Sequence, residues 1–249
     1  MPRVEPVHFT YTTELKIDAV YFHAARRAHQ EAIDAQTGIE AARTHWSSLD
    51  EEWDRIEASE PDPARQYDLL EPVAVQMEHA DYQIGEAYGP YIKAIATVHI
   101  LSTAALEAHI NAVAKERLSG VDYNHMERLA LEAKWLFLPR LLGVTPFDPG
   151  RQPFQGFSRT VKLRDKLVHY KGIKEEWVSG QPPAFLSDLG LTIEDSDKAI
   201  SSARNMIAAL STAFGSEQPY WLRGDVNKID YFDFNVESKS APRSSSQGA

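Results

Sequence analysis

The sequence predicts an all-α protein, a helical bundle preceded by a long helical hairpin. Three observations predict it. Apolar residues recur at gaps of three and four over most of the first 215 positions. The interruptions are short clusters of Pro and Gly. Two-residue alternation appears only weakly, at Tyr231 to Val236.

The first helical pattern, Glu14 to Ala28, places Leu15, Val20, Tyr21 and Ala24 at helical spacing. From Ile39 the seam sharpens through Ala42, Trp46, Leu49, Trp53 and Ile56, until Glu60-Pro61-Asp62-Pro63 breaks it. A second seam runs through Leu70, Val73, Met77, Ala80, Ile84, Tyr88, Tyr91, Ile95 and Val98. Two stripes joined by a short Pro-rich turn read as an antiparallel hairpin. Gly89-Pro90 should kink or split its second arm. The aromatic and Met positions read as packing residues, given their helical period.

From Ala94 small side chains accumulate (Ser102, Thr103, Ala104, Ala105, Ala108, Ala112, Ala114), which lets helix axes approach closely. Gly120 is the expected C-terminal cap of this helix. Asp122 or Asn124 then caps a helix through Met126, Leu129, Ala133, Leu136 and Leu138, ending near Gly143. Val144 to Gln155 is a loop, Phe157 to Tyr170 a helix, and 173–191 irregular. Thr192 with Asp195 marks the start of a last amphipathic helix carrying Ala199, Ala203, Met206, Ile207, Leu210 and Phe214. Tyr231 to Val236 is a short edge strand or extended arm, and Ser238 onward a disordered tail. The expected division is 1–93 as hairpin extension, 94–216 as bundle, and 217–249 as C-terminal arm and tail.

Composition narrows the function. Hydrophobic residues make up 43% of 249, enough for a sizeable core, and there is no cysteine to serve as nucleophile or metal ligand. No run of about 18 apolar residues suggests a membrane span, and Met1 to Tyr11 has no signal-type apolar stretch, so the expected compartment is the cytoplasm. A net charge of −10 disfavours broad nucleic-acid binding, which neutralises phosphates with Lys and Arg. Any RNA handled by this chain needs a local basic site or a partner. His23 and His29 lie six apart, and His45, His79, His99, His109 and His125 lack a carboxylate at ligand spacing, so no metal or cofactor is expected. Asp50-Glu51-Glu52 with Asp54 and Glu57 reads as a solvated helix face.

One segment carries chemistry. With Phe157 to Tyr170 wound as a helix, Phe157, Val161, Leu167 and Val168 share one arc, with Leu163 and Tyr170 at its edge. Arg164 falls inside that arc. A guanidinium cannot shed its proton, so it needs a carboxylate such as Glu107, a route to the surface along its stem, or an anion in a cleft or subunit interface. Asp165 and His169 lie four apart on one flank, where a side-chain hydrogen bond would orient the imidazole. A plainer alternative has His169 capping carbonyls at the helix end.

The pattern Arg164-Asp165-x-x-x-His169, followed by Tyr170-Lys171-Gly172, resembles the signature of the HEPN superfamily. The acid and polar residue of Glu107 and Asn111, four apart on an earlier helix, resemble that family's first core helix. The resemblance covers roughly Ala94 to Phe214. A second Arg-to-His match at the same spacing, Arg3 to His8, contains Pro6 and lacks the polar second residue. The resemblance implies a bundle of HEPN type and metal-independent RNA cleavage by a homodimer whose two motifs face one cleft. It implies catalytic Arg164, Asp165 and His169, supported by Glu107, Asn111, Tyr170 and Lys171. The product would carry a 2′,3′-cyclic phosphate. Such proteins include toxins and phage-defence effectors, so an antitoxin or regulatory protein is an implied partner. Others are inactive RNA-binding or protein-interaction modules, and nucleotide or small-anion binding at Arg164 without chemistry is a third reading.

Overall fold

The computed structural model describes residues 11–172, 174, 176–223 and 232–236; at 11–13 and 232–236 the description is of the backbone. The protein is an all-helical bundle with two very long helices. Strand β1 (Tyr11–Leu15) precedes α1 (Ile17–Ser59) and α2 (Pro63–Arg117). Short α3 (Gly120–Glu127) and α4 (Leu131–Leu141) follow, then α5 (Phe154–Val168), the single turn α6 (Phe185–Asp188), α7 (Ile193–Ala213) and strand β2 (Phe232–Val236). β1 and β2 pair antiparallel, with Tyr11 opposite Val236 and Leu15 opposite Phe232. The weakly alternating Tyr231–Val236 stretch thus contains a strand. Glu14 and Leu15, expected in the first helix, belong to its partner strand. The Arg3-to-His8 match and the tail from Ser238 lie outside the described residues.

The hairpin follows the two seams. α1 is one 43-residue helix, about 65 Å long at 1.5 Å per residue. Asp62 caps α2 by accepting the Ala64 N–H, with Pro63 at the first helical position. α2 runs 55 residues through Pro72 and Pro90 without dividing, so the expected split at Gly89-Pro90 does not occur. Both prolines sit on the exposed side, while Val73, Ile84, Tyr88 and Tyr91 remain buried. The missing amide bonds fall where water can solvate the freed carbonyls. The expected boundary at 93/94 lies inside this helix.

Gly120 is also placed differently. α2 ends at Arg117, and Gly120 opens α3 behind the N-cap Ser119, whose hydroxyl donates to Asp122 Oδ2 at 2.6 Å. The single helix expected through Met126 and Leu138 is two, separated at 128–130. Met126 and Leu138 still reach the same core.

Three apolar cores are stacked along the hairpin. The main one joins Phe22 of α1, Leu106 and Ile110 of α2, Trp135 and Leu138 of α4, Phe157 of α5, and Met206, Ile207 and Leu210 of α7, all fully buried. Each such side chain contributes about 1.5–3 kcal/mol. A second core gathers Ile39, Ile84, Tyr88, Tyr91 and Ile95 with Leu186 and Leu191 from the 185–191 return. A third, at the far end of the hairpin, contains Leu49, Val73 and Ala80 under Trp46, Trp53, Ile56 and Met77. Lys134 is 2% exposed, and its ammonium reaches Glu107 Oε1 at 3.1 Å. Asp18, in the first turn of α1, accepts from buried His109 Nδ1 on α2 at 2.8 Å, tying the start of one long helix to the other.

The return segment fits tightly against α5. Gly190 adopts φ +65°, and a Cβ there would lie 2.7 Å from a Leu163 methyl. Gly215 has nearly the same φ, +64°, with nothing within 4 Å. Gly190→Ala is therefore expected to destabilise by about 1–2 kcal/mol from backbone strain plus about 1 kcal/mol or more of overpacking. Gly215→Ala incurs only the first contribution. Urea unfolding of the two variants checks the difference; equal losses would mean that Leu163 does not press on Gly190.

Candidate functional site at the end of helix α5

α5 is fixed to the bundle by its first three turns. Phe154, Phe157, Thr160, Val161 and Leu163 are buried. Gly156 approaches α7 so closely that a Cβ would stand 2.7 Å from Ser202 Oγ. Further along, Lys166 Nζ donates to the Asp188 carbonyl at 3.3 Å, and Leu167 packs with the second core. The buried arc is thus rotated from the one expected. Leu163 is buried rather than marginal, and Val168, expected in the core, is 54% exposed. The cause is the 185–191 return, which covers the Leu163 side and leaves the last turn outside the bundle.

His99 holds that return in place. It is fully buried on α2, and its Nε2–H donates to the Gly190 carbonyl at 2.8 Å. Because a carbonyl only accepts, Nε2 carries the proton. Burial lowers the His99 pKa below 6.5, outweighing the upward pull of the Gly190 carbonyl and of Asp195, and Arg159 adds to the lowering. Sequence reading treated His99 as an ordinary histidine. Its partner is a backbone oxygen 91 positions away, which no local spacing reveals.

The motif residues emerge just beyond this anchor. Arg164 is 28% exposed, and its Nη1 lies 3.1 Å from Asp165 Oδ1. The expected counter-ion Glu107 is committed to Lys134, so it is not the partner of Arg164. Asn111, one turn further along α2, is half-buried, and no bond is described from it to the α5 motif. Asp165 does not clasp the imidazole as expected. Its carboxylate turns to Arg164, and the described bond to His169 is the backbone one, His169 N–H to Asp165 O at 3.0 Å. His169 is the C-cap of α5 and is exposed, as are Tyr170 and Lys171. Arg164, Asp165, His169, Tyr170 and Lys171 therefore lie at one surface end, while Glu107 and Asn111 belong to α2.

The charge of this end went unnoticed in the motif. Positions 159–174 hold six of the chain's 26 lysines and arginines and a single acid, Asp165. Arg159 is tied to Asp195 at 2.8 Å, whereas Lys162, Lys171 and Lys174 are exposed. Exposed apolar residues accompany them: Val168, Tyr170, Trp177 and Val178. On a chain of net charge −10 this segment is locally basic.

Among the described residues, no group of three or more His, Cys, Asp or Glu side chains could hold a metal ion. No helix among them is long and apolar enough to cross a membrane. Compared with known proteins, the chain matches no family model, no characterised protein and no solved structure.

Acid should loosen the anchor. The folded state disfavours protonated His99, and the unfolded chain takes up its proton near 6.5. The contribution of His99 is therefore present above that value and lost as pH falls through it toward the lower folded pKa. Buried His23, whose pKa is likewise lowered chiefly by burial, adds in the same direction. The melting temperature is expected to fall between pH 7.5 and 5.5, and His99→Gln, which keeps a donor for Gly190, should flatten part of that slope. An unchanged slope would remove His99 from this role.

Proposed function

We propose that the protein is a metal-independent endoribonuclease of HEPN type, active as a homodimer and working as a toxin or defence effector in the cytoplasm. The observation that carries this reading is the end of α5. There an accessible guanidinium and an exposed imidazole share a lysine-rich segment with exposed apolar side chains. Lysines and arginines attract the phosphodiester backbone. Val168 and Tyr170, exposed at the end of α5, supply apolar surface for association, here with a second copy.

The chemistry follows from the residue types. His169 takes the proton of a ribose 2′-hydroxyl, whose oxygen forms a bond to the adjacent phosphorus. The bond from phosphorus to the 5′-oxygen breaks, and that oxygen is protonated as it leaves, by the partner's His169 or by water. Arg164 stabilises the charge that builds on the phosphoryl oxygens. Asp165, already on the guanidinium at 3.1 Å, holds it until phosphate competes. An antitoxin or regulatory protein would act by covering this end.

The test is cleavage of a single-stranded RNA in excess chelator, with analysis of product ends. Expected are a 2′,3′-cyclic phosphate and a rate loss of about 100-fold or more for His169→Ala and Arg164→Ala, with unchanged circular dichroism. Val168→Asp should dissociate the dimer in sedimentation and abolish cleavage. If either alanine variant cleaves like the parent, the end of α5 is not the catalytic centre.

The Arg164–Asp165 pair favours a second reading, a non-catalytic interaction module in which Arg164 is structural. A half-exposed pair of neighbours contributes little, about 0–1 kcal/mol. Arg164→Ala should therefore melt close to the parent; a steep drop would support the structural reading instead.

A further inference from the structure

A second site lies away from α5. The end of β1, the start of α1, the last turns of α2 and the 3₁₀ turn Tyr220–Leu222 line a half-open cavity of about 760 Å³. That is within the roughly 300–1,000 Å³ of small-molecule sites. Ile17, Ala112, Val113 and Trp221 supply apolar walls, and His109 forms part of the lining.

His109 is 8% exposed and rigidly placed. Its ring stacks on Trp135, centroids 6.4 Å apart at 21°, and meets Trp221 edge-on at 6.2 Å. Asp18 Oδ2 accepts from Nδ1 at 2.8 Å, while Asp18 Oδ1 accepts the Ala19 N–H at 2.9 Å. In the neutral ring a carboxylate acceptor fixes the proton on Nδ1, which leaves a lone pair on Nε2. His99 Nδ1 and Trp135 Nε1 are enclosed without a partner. His109 Nε2 is not among such enclosed atoms, and no bond to it is described among the described residues. It therefore opens on the cavity.

The charges around the cavity are nearly balanced, three carboxylates facing two lysines. Lys16 pairs with Glu14 at 2.8 Å and Asp18 is held by His109, leaving adjacent Lys115 and Glu116 to offset each other at the rim. With His109 neutral, the Asp18 carboxylate keeps its charge, so the lining is negative by one and disfavours an anion. We infer that this cavity binds a hydroxyl-bearing small molecule without negative charge, its apolar body against Ile17, Val113 and Trp221 and its O–H donating to His109 Nε2. The inference does not rest on the nuclease reading.

Three one-ring probes test it on the full chain labelled with carbon-13 histidine: benzyl alcohol, toluene and benzoate. The His109 Cε1–H resonance, assigned by its loss in His109→Gln, is followed by NMR. Benzyl alcohol should shift it saturably and bind about five- to tenfold more tightly than toluene, as one buried hydrogen bond predicts. Benzoate should bind more weakly than the alcohol. Asp18→Asn frees the ring to change tautomer, so it should erase the advantage of the alcohol while leaving toluene binding unchanged. A merely structural role for Asp18 would weaken both ligands alike. The inference is overturned if the His109 signal does not respond to benzyl alcohol, if toluene binds equally well, or if benzoate binds as tightly. The comparison of the three probes on the parent needs no variant to fold.

Discussion

The hydrogen bond from His99 to the Gly190 carbonyl is the constraint on which the candidate site depends. α5 leaves the bundle one turn before its motif ends, so its last residues are not held by the main core. What holds them is the 185–191 return, pressed against Leu163 by a glycine in left-handed conformation and fastened underneath by a buried imidazole. A hydroxyl or amide would offer the same carbonyl a donor. An imidazole does so in either protonation state, but burial here penalises the charged ring, so the stability of the anchor depends on pH. The same residues that orient α5 thus connect its surface end to the acidity of the surroundings.

Electrostatics separates the parts of this acidic molecule. The hairpin carries the solvated acids Asp50, Glu51, Glu52, Asp54 and Glu57, whereas the end of α5 concentrates lysine and arginine. Repulsion from the whole would disfavour an anionic ligand at a distance, and the local cations act mainly within a Debye length of about 8–10 Å. Recognition at such a place depends on close contact more than on long-range steering.

Much of the architecture was legible because it is written in helical period. The seams at 39–56 and 70–98 predicted the hairpin, and Thr192 with Asp195 marked the true start of α7. The misreadings share one cause, a local signal outweighed by packing. Gly89-Pro90 does not divide α2, because Tyr88 and Tyr91 on either side are buried against the neighbouring helix. Gly120 begins a helix rather than closing one. Val168 follows the period of its helix but lies past the end of the surface that would bury it. The Asp18–His109 pair joins residues 91 positions apart, and no spacing rule reaches that far. The motif itself could be read; the partner of Arg164 could not, because Glu107 had a competing lysine in the core.

The uninterrupted course of α2 has a structural consequence. One rod, about 80 Å from end to end at 1.5 Å per residue, contributes side chains to all three apolar cores. The far tip of the hairpin and the bundle are thus parts of one continuous helix. The same helix that carries Val73 into the core under Trp46 and Trp53 carries His99 to the return segment.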